Sequence, residues 1–204
     1  MFQSLNRLKE SPSQTAGPYV HIGLTPNFAE ITGVYPQDLG TSMVNEKTKG
    51  ERITITGRVL DGTGTPLKDA LIEIWQADAD GFYNSPSEVR GSADPNFTGW
   101  GRCPSGMGDG VFRFETIKPG RVPYPDGRMQ APHVTLWIVA RGINIGLQTR
   151  MYFPEEEAAN AEDPILGRVE HRVRVGTLIA QKVDGGYSFD VRLQGDKETV
   201  FFDI

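Results

Sequence analysis

The segment YSFDVRLQ, residues 187–194, alternates without a break. Tyr187, Phe189, Val191 and Leu193 fall on one side, and Ser188, Asp190, Arg192 and Gln194 on the other. A period of two is the repeat of a strand with one buried face, and a helix cannot present it. Related patterns recur in ITITGRVL (53–60), ALIEIWQA (70–77) and VFRFETI (111–117), where Phe112 and Phe114 oppose Arg113 and Glu115. LIAQKV and the turn DGG lead into Tyr187 and predict a hairpin. The closing TVFFDI reads as one more strand. Short strands between turn signals, in a chain with 24 Gly and 14 Pro, predict an all-β fold, an antiparallel β-sandwich.

Three regions depart from this rhythm. NSPSEVRGSADPNFTGWGRCPSGMGDG, residues 84–110, reads as one long loop, and loops of that length are usually functional or disordered. PEEEAANAEDP (154–164) has Pro at its start, acids in the first turn and Asp-Pro as a stop, the signature of one short helix. The first 50 residues lack periodicity and read as an extended arm. With no repeat and no linker, the chain is expected to form a single domain, 1–204, comprising an arm at 1–50 and a sandwich core at 51–204.

Composition narrows the function classes. Of 204 residues, 38% are hydrophobic and 23% charged, ordinary for a globular protein. A net charge of −5 argues against nucleic acid and against an anionic membrane surface as partners. The single Cys103 rules out an internal disulfide framework. MFQSLNRLKESP holds no apolar core of a signal peptide, and no apolar run approaches a membrane span. A cytoplasmic setting is therefore expected.

No phosphate loop, CxxC or HExxH motif is present, and Cys103 has no histidine nearby in sequence to activate it. The strand APHVTLWIVARG (131–142) holds His133, one of three histidines. Residues i and i+2 of a strand share a face, so a metal site on one strand takes the form His-x-His. Here the second place is Thr135. Taken alone, these residues support no more than a β-sandwich with a packed histidine.

Four segments in order, EIWQADADGFY (73–83), IKPGRVPYP (117–125), APHVTLW (131–137) and LQTRMYF (147–153), resemble the intradiol ring-cleaving dioxygenases. The resemblance runs from about residue 50 to the end of the chain. It implies a transthyretin-like core. It also implies chemistry on a mononuclear Fe(III) that family members hold with two Tyr and two His. SPSQTAGPYVHIGL (11–24), VARGINIGLQTRMYF (139–153) and ETVFFDI (198–204) are similar to the iron-free chain of the family's two-chain members. The resemblance therefore implies that Fe(III) is held by a homologous partner, the beta chain, and that protocatechuate and O2 react in the shared site.

Against the family's ligand pattern, Tyr83 takes the first Tyr place, Val122 stands at the second with Tyr124 displaced nearby, and His133 and Thr135 take the His-x-His places. His21 and His171 match none. Two donors are too few for a hard cation, so Tyr83, His133 and Thr135 are expected to be vestigial positions in a chain with no metal and no catalytic residue of its own. The resemblance places the substrate-binding contribution at Thr15, Gly17 and Pro18 of TAGPY (15–19) and at Arg141. Glycine permits close backbone approach, and proline presents a flat apolar ring. Arg141 offers a planar fork for a carboxylate. Two alternatives stand beside this reading: a self-sufficient Fe(III) dioxygenase of the catechol type, and a non-catalytic transthyretin-like binding module.

Overall fold

The computed structural model describes residues 14–203; the first thirteen residues of the expected arm, and Ile204, lie outside that range. Two packed sheets form the core. In the first, β1 (Arg52–Leu60) is the spine. It pairs antiparallel with β4 (Val111–Ile117) and parallel with β8 (Gly186–Ser188) and β9 (Val191–Arg192). β7 (Gln181–Val183) is joined antiparallel to β8, which is the hairpin expected around DGG. The second sheet has the order β3 (Trp100–Pro104), β2 (Leu71–Trp75), β5 (His133–Val139), β6 (Leu147–Tyr152), antiparallel throughout. The expected sandwich is thus built from one antiparallel sheet and one mixed sheet.

Alternation explains the assembly. β1 buries Ile53, Ile55 and Val59, and β4 buries Phe112 and Phe114. They meet Ile72, Ile74, Leu136 and Ile138 of the second sheet in one cluster. Each such side chain contributes about 1.5–3 kcal/mol on leaving water. Gly57 stands where the buried phase of β1 would place another side chain. A Cβ there would sit 1.9 Å from the Phe189 carbonyl oxygen and 2.7 Å from the Phe112 ring. The missing side chain is what lets residue 189 pass against β1.

That passage corrects the expectation of a single strand over 187–194. Phe189 N–H donates to Thr56 O at 2.8 Å. One residue on, the Asp190 carboxylate, not a backbone carbonyl, accepts from Arg58 N–H at 3.0 Å. A side-chain acceptor in the ladder splits the segment into β8 and β9, while Tyr187, Phe189 and Val191 still point into the core. The expected loop over 84–110 is corrected too, because β3 lies inside it and pairs with β2 across five residues. Its glycine and proline neighbours hide the strand in the sequence. The closing segment is no strand. Residues 199–203 are held by separate bonds, Thr149 Oγ1 to Val200 O and Phe202 N–H to Gln148 O, each 2.8 Å.

The helix expected in 154–164 is α2 (Glu157–Glu162). The described part of the arm is not a plain extended run. It contains α1 (Tyr19–Leu24) and then turns, and its later part docks on the sandwich, with Met43 2% exposed in the main cluster. No helix among the described residues is long and apolar enough to cross a membrane.

Gly57→Ala is expected to cost about 1–3 kcal/mol or more, as overpacking against backbone does. The check is denaturant unfolding beside Gly108→Ala, whose added methyl meets nothing within 4 Å and is expected to stay within about 0.5 kcal/mol.

Candidate functional site

β5 carries expected site residues at both of its ends. His133 opens it, and Arg141 follows Val139 by two residues. At about 3.3 Å per residue the two lie roughly 25 Å apart along the chain. The structure therefore sorts the expected residues into two places.

The first place is the outer face of the second sheet. Register puts Thr135 between Trp75 of β2 and Arg150 of β6, and puts His133 opposite Tyr152. Tyr83 comes to this face from the turn after β2. The buried Asp78 carboxylate builds that turn, its Oδ1 accepting from Asp80 and Phe82 N–H and its Oδ2 from Asp94 N–H. Gly81, at φ 85°, lies so close to Arg121 that a Cβ would sit 2.2 Å from its carbonyl oxygen. The Tyr83 ring stacks on Trp75 with centroids 5.8 Å apart. Burial pushes the Tyr83 phenol up, against the pull of Arg150 and Arg90.

His133 is 4% exposed. Its Nδ1 lies 2.8 Å from Ala131 O; a carbonyl only accepts, so Nδ1 carries the proton. Burial, helped by the Arg150 charge, pushes its pKa down to about 4. Val122 is buried at 2% beneath the 121–130 turn, where Gln130 N–H donates to Val122 O and Gln130 Nε2 donates to Pro123 O. The Tyr124 ring lies under the Arg168 guanidinium at 5.3 Å. Trp75, Tyr83, Val122 and Tyr124 help line an open cleft of about 450 Å³.

This face does not fit Fe(III). Tyr83 and His133 offer one phenol and one imidazole, Val122 has no donor atom, and Thr135 offers only a neutral hydroxyl. Arg150, a cation, fills the neighbouring position with Nη1 donating to Gln130 Oε1 at 2.8 Å. Among the described residues, no group of three or more His, Cys, Asp or Glu could hold a metal ion. Within LQTRMYF nothing marks Arg150 as a functional residue. Only the strand register shows that it stands beside Thr135.

The second place joins the arm to the far end of β5. Thr15 Oγ1 accepts from Gly142 N–H at 2.7 Å and donates to Ala140 O at 3.3 Å. It thus grips the backbone on both sides of Arg141 and fixes the start of the described arm there. Arg141 Nε lies 3.1 Å from Asp69 Oδ2, and the Arg141 side chain is 65% exposed. The backbone carbonyl of the same Asp69 accepts from His21 Nε2 of α1 at 3.0 Å. Asp69 and His21 therefore tie arm, strand and Arg141 together, and sequence reasoning missed both. No motif marks Asp69, which reads as an ordinary turn residue.

The family model for dioxygenases matches residues 24–195, and the chain belongs to the intradiol dioxygenase family. It is 42% identical over 201 residues to the protocatechuate 3,4-dioxygenase alpha chain of Pseudomonas putida, covering 97% of this chain and 98% of that one. It is also 35% identical over 182 residues to the protocatechuate 3,4-dioxygenase beta chain of Burkholderia cepacia, covering 84% and 77%. Among solved structures, the dioxygenase domain of a carbohydrate-binding fusion from Streptomyces sp. SirexAA-E superposes with a TM-score of 0.53. It is 24% identical, with coverage of 93% of this chain and 100% of that one, and it supports the fold.

His133 stays neutral in the fold down to about pH 4, whereas its ordinary value is 6.5. The unfolded state takes up the proton first, so stability falls as pH drops from about 6.5 toward 4 and this loss levels off below. Integrated across that window it amounts to about 3 kcal/mol. His133→Gln, which keeps a donor for Ala131 O, is expected to lose that component. Urea midpoints at pH 7 and pH 4.5, compared between the two proteins, check it.

Proposed function

We propose that this chain is the iron-free alpha subunit of a protocatechuate 3,4-dioxygenase. It works with a homologous beta chain that holds the Fe(III), and the complex cleaves protocatechuate with O2 to 3-carboxy-cis,cis-muconate. The observation that carries this reading is the Thr15 clamp. One hydroxyl bonded to Ala140 O and Gly142 N–H holds the arm and Arg141 as a unit on the surface, away from the degenerate ligand face. The full-length likeness to an alpha chain and the poor donor set around His133 support it, and the same donor set weighs against a self-sufficient iron enzyme. The binding-module alternative leaves the clamp without a purpose.

In this reading the chain supplies a wall and a charge. Gly17 and Pro18 line the partner's pocket and exclude water from its edge. Arg141 spends Nε on Asp69, which leaves its two Nη groups to take the substrate carboxylate in a bidentate grip. The described part of the arm, residues 14–50, covers the partner, and residues 51–203 form the core that presents it. Tyr19 is 82% exposed, and Ile22, Val34 and Leu39 are exposed with it. Such an apolar run suits an obligate interface of more than about 2,000 Å². A reducing cytoplasm suits the unpaired thiol of Cys103.

Arg141→Ala in the two-chain complex removes a charge-assisted hydrogen bond worth about 1.5–3 kcal/mol. The kcat/KM for protocatechuate is expected to fall roughly 10- to 150-fold, with iron content unchanged. Catechol lacks the carboxylate, so its kcat/KM is expected to stay level. Equal losses on both substrates in steady-state kinetics would remove the carboxylate assignment.

Thr15→Val frees the arm from the β5 end while keeping its bulk. It is expected to raise KM for protocatechuate several-fold, at a cost near the 0.5–1.5 kcal/mol of an ordinary hydrogen bond. An unchanged KM in the same assay would mean that the clamp does not shape the pocket.

A further inference from the structure

One row of side chains crosses the whole second sheet. Trp100, Trp75, Thr135 and Arg150 are successive partners on β3, β2, β5 and β6. They share the outer face, because the alternate residues Ile74, Leu136 and Met151 are buried in the core. His133 and Tyr152 form the next pair along the same face. Directly opposed residues have Cβ atoms about 4.5–5.5 Å apart. The Arg150 side chain therefore rises beside Thr135, one pair away from His133, and Tyr83 stacks on Trp75 across the row.

Arg150 is held there. Its Nη1 donates to Gln130 Oε1 at 2.8 Å, and Gln130 is itself 8% exposed and anchored to the 121–130 turn. Among the described residues, no carboxylate forms an ion pair with Arg150. Its charge reaches Tyr83, His133 and Tyr152 alike. An arginine stays charged at any working pH, so this face carries a permanent cation at the end where His133 and Tyr83 would otherwise offer donors.

We propose that Arg150 is the fixed cation of the degenerate ligand site and is itself what bars a metal from this chain. Loss of the phenol at 122 and of the imidazole at 135 is then only part of the change. Restoring that imidazole does not restore metal affinity while the guanidinium remains, because two cations this close repel in a poorly solvated site. The proposal rests on reading this face as a lost ligand site and not on the Arg141 assignment, so either can fail alone.

The test titrates Co(II) into the full chain, followed by visible absorption and calorimetry, for Thr135→His, for Thr135→His with Arg150→Gln, and for Thr135→His with Arg150→Lys. Thr135→His alone is expected to bind no better than the unaltered chain. The Gln double variant is expected to bind at least tenfold tighter, with the d–d absorption of nitrogen-ligated cobalt. The Lys double variant, which keeps a charge, is expected to behave like Thr135→His alone. Thermal melts accompany each titration. Where the Gln variant melts early, Arg150→Met, which retains the packing of the stem, replaces it. Three results would overturn the proposal. One is tight binding by Thr135→His with Arg150 intact. Another is a Lys variant as permissive as the Gln variant. The last is a normally folded charge-free variant that gains nothing.

Discussion

The register of β5 between β2 and β6 is the constraint on which the rest depends. The strand is hydrogen-bonded along both edges. A slip of one residue would turn Val134, Leu136 and Ile138 outward and His133, Thr135 and Trp137 inward. The inner three are 0–1% exposed, so the core forbids the slip. Both ends of the strand are thereby fixed: the first sets His133 beside Tyr152, and the last delivers Ala140–Gly142 to the Thr15 clamp.

The two arginines near this strand illustrate how context decides what a guanidinium does. Arg141 is 65% exposed with an acid 3.1 Å away. An exposed pair of this kind contributes little to stability, and the arrangement orients the side chain more than it holds the fold. Arg150 is partly buried, hydrogen-bonded to an amide oxygen, and set among a phenol, an imidazole and a second buried tyrosine. Unlike Arg141, it acts inward, on the protein's own groups. It lowers the proton affinity of His133 in the same direction as burial does.

Much of the fold was legible because alternation is a local property. β1, β2, β4, β5 and the hairpin of β7 and β8 follow from hydrophobic period and turn residues, and α2 follows from its proline, acids and stop. β3 was not legible. Trp100 to Pro104 sits among glycines and prolines, and its strand character comes from pairing with β2 rather than from its own composition. The break at residue 190 was hidden for a related reason. Asp190 reads as an outward polar residue, and only the approach of Arg58 N–H turns its carboxylate into a substitute for a backbone acceptor. The closing segment has the composition of a strand, yet it finds scattered partners, among them the Thr149 hydroxyl, and no continuous edge.

The site divides along the same line. Sequence by itself determined which donors are present: a phenol at 83, an imidazole at 133, and at 122 and 135 side chains too poor to complete a shell for a hard cation. It also determined that Arg141 and the TAGPY stretch exist to be used, because residue identity is chemistry and needs no coordinates. Tertiary structure alone decided that those two groups of residues lie at opposite ends of one strand. It alone placed Arg150 opposite Thr135, and it alone joined Asp69, His21 and Thr15 to Arg141. The reason is geometric. Residues 15, 69 and 141, like residues 75, 135 and 150, are far apart along the chain. Their nearness is set by strand pairing and by closure of the core, which no local pattern encodes.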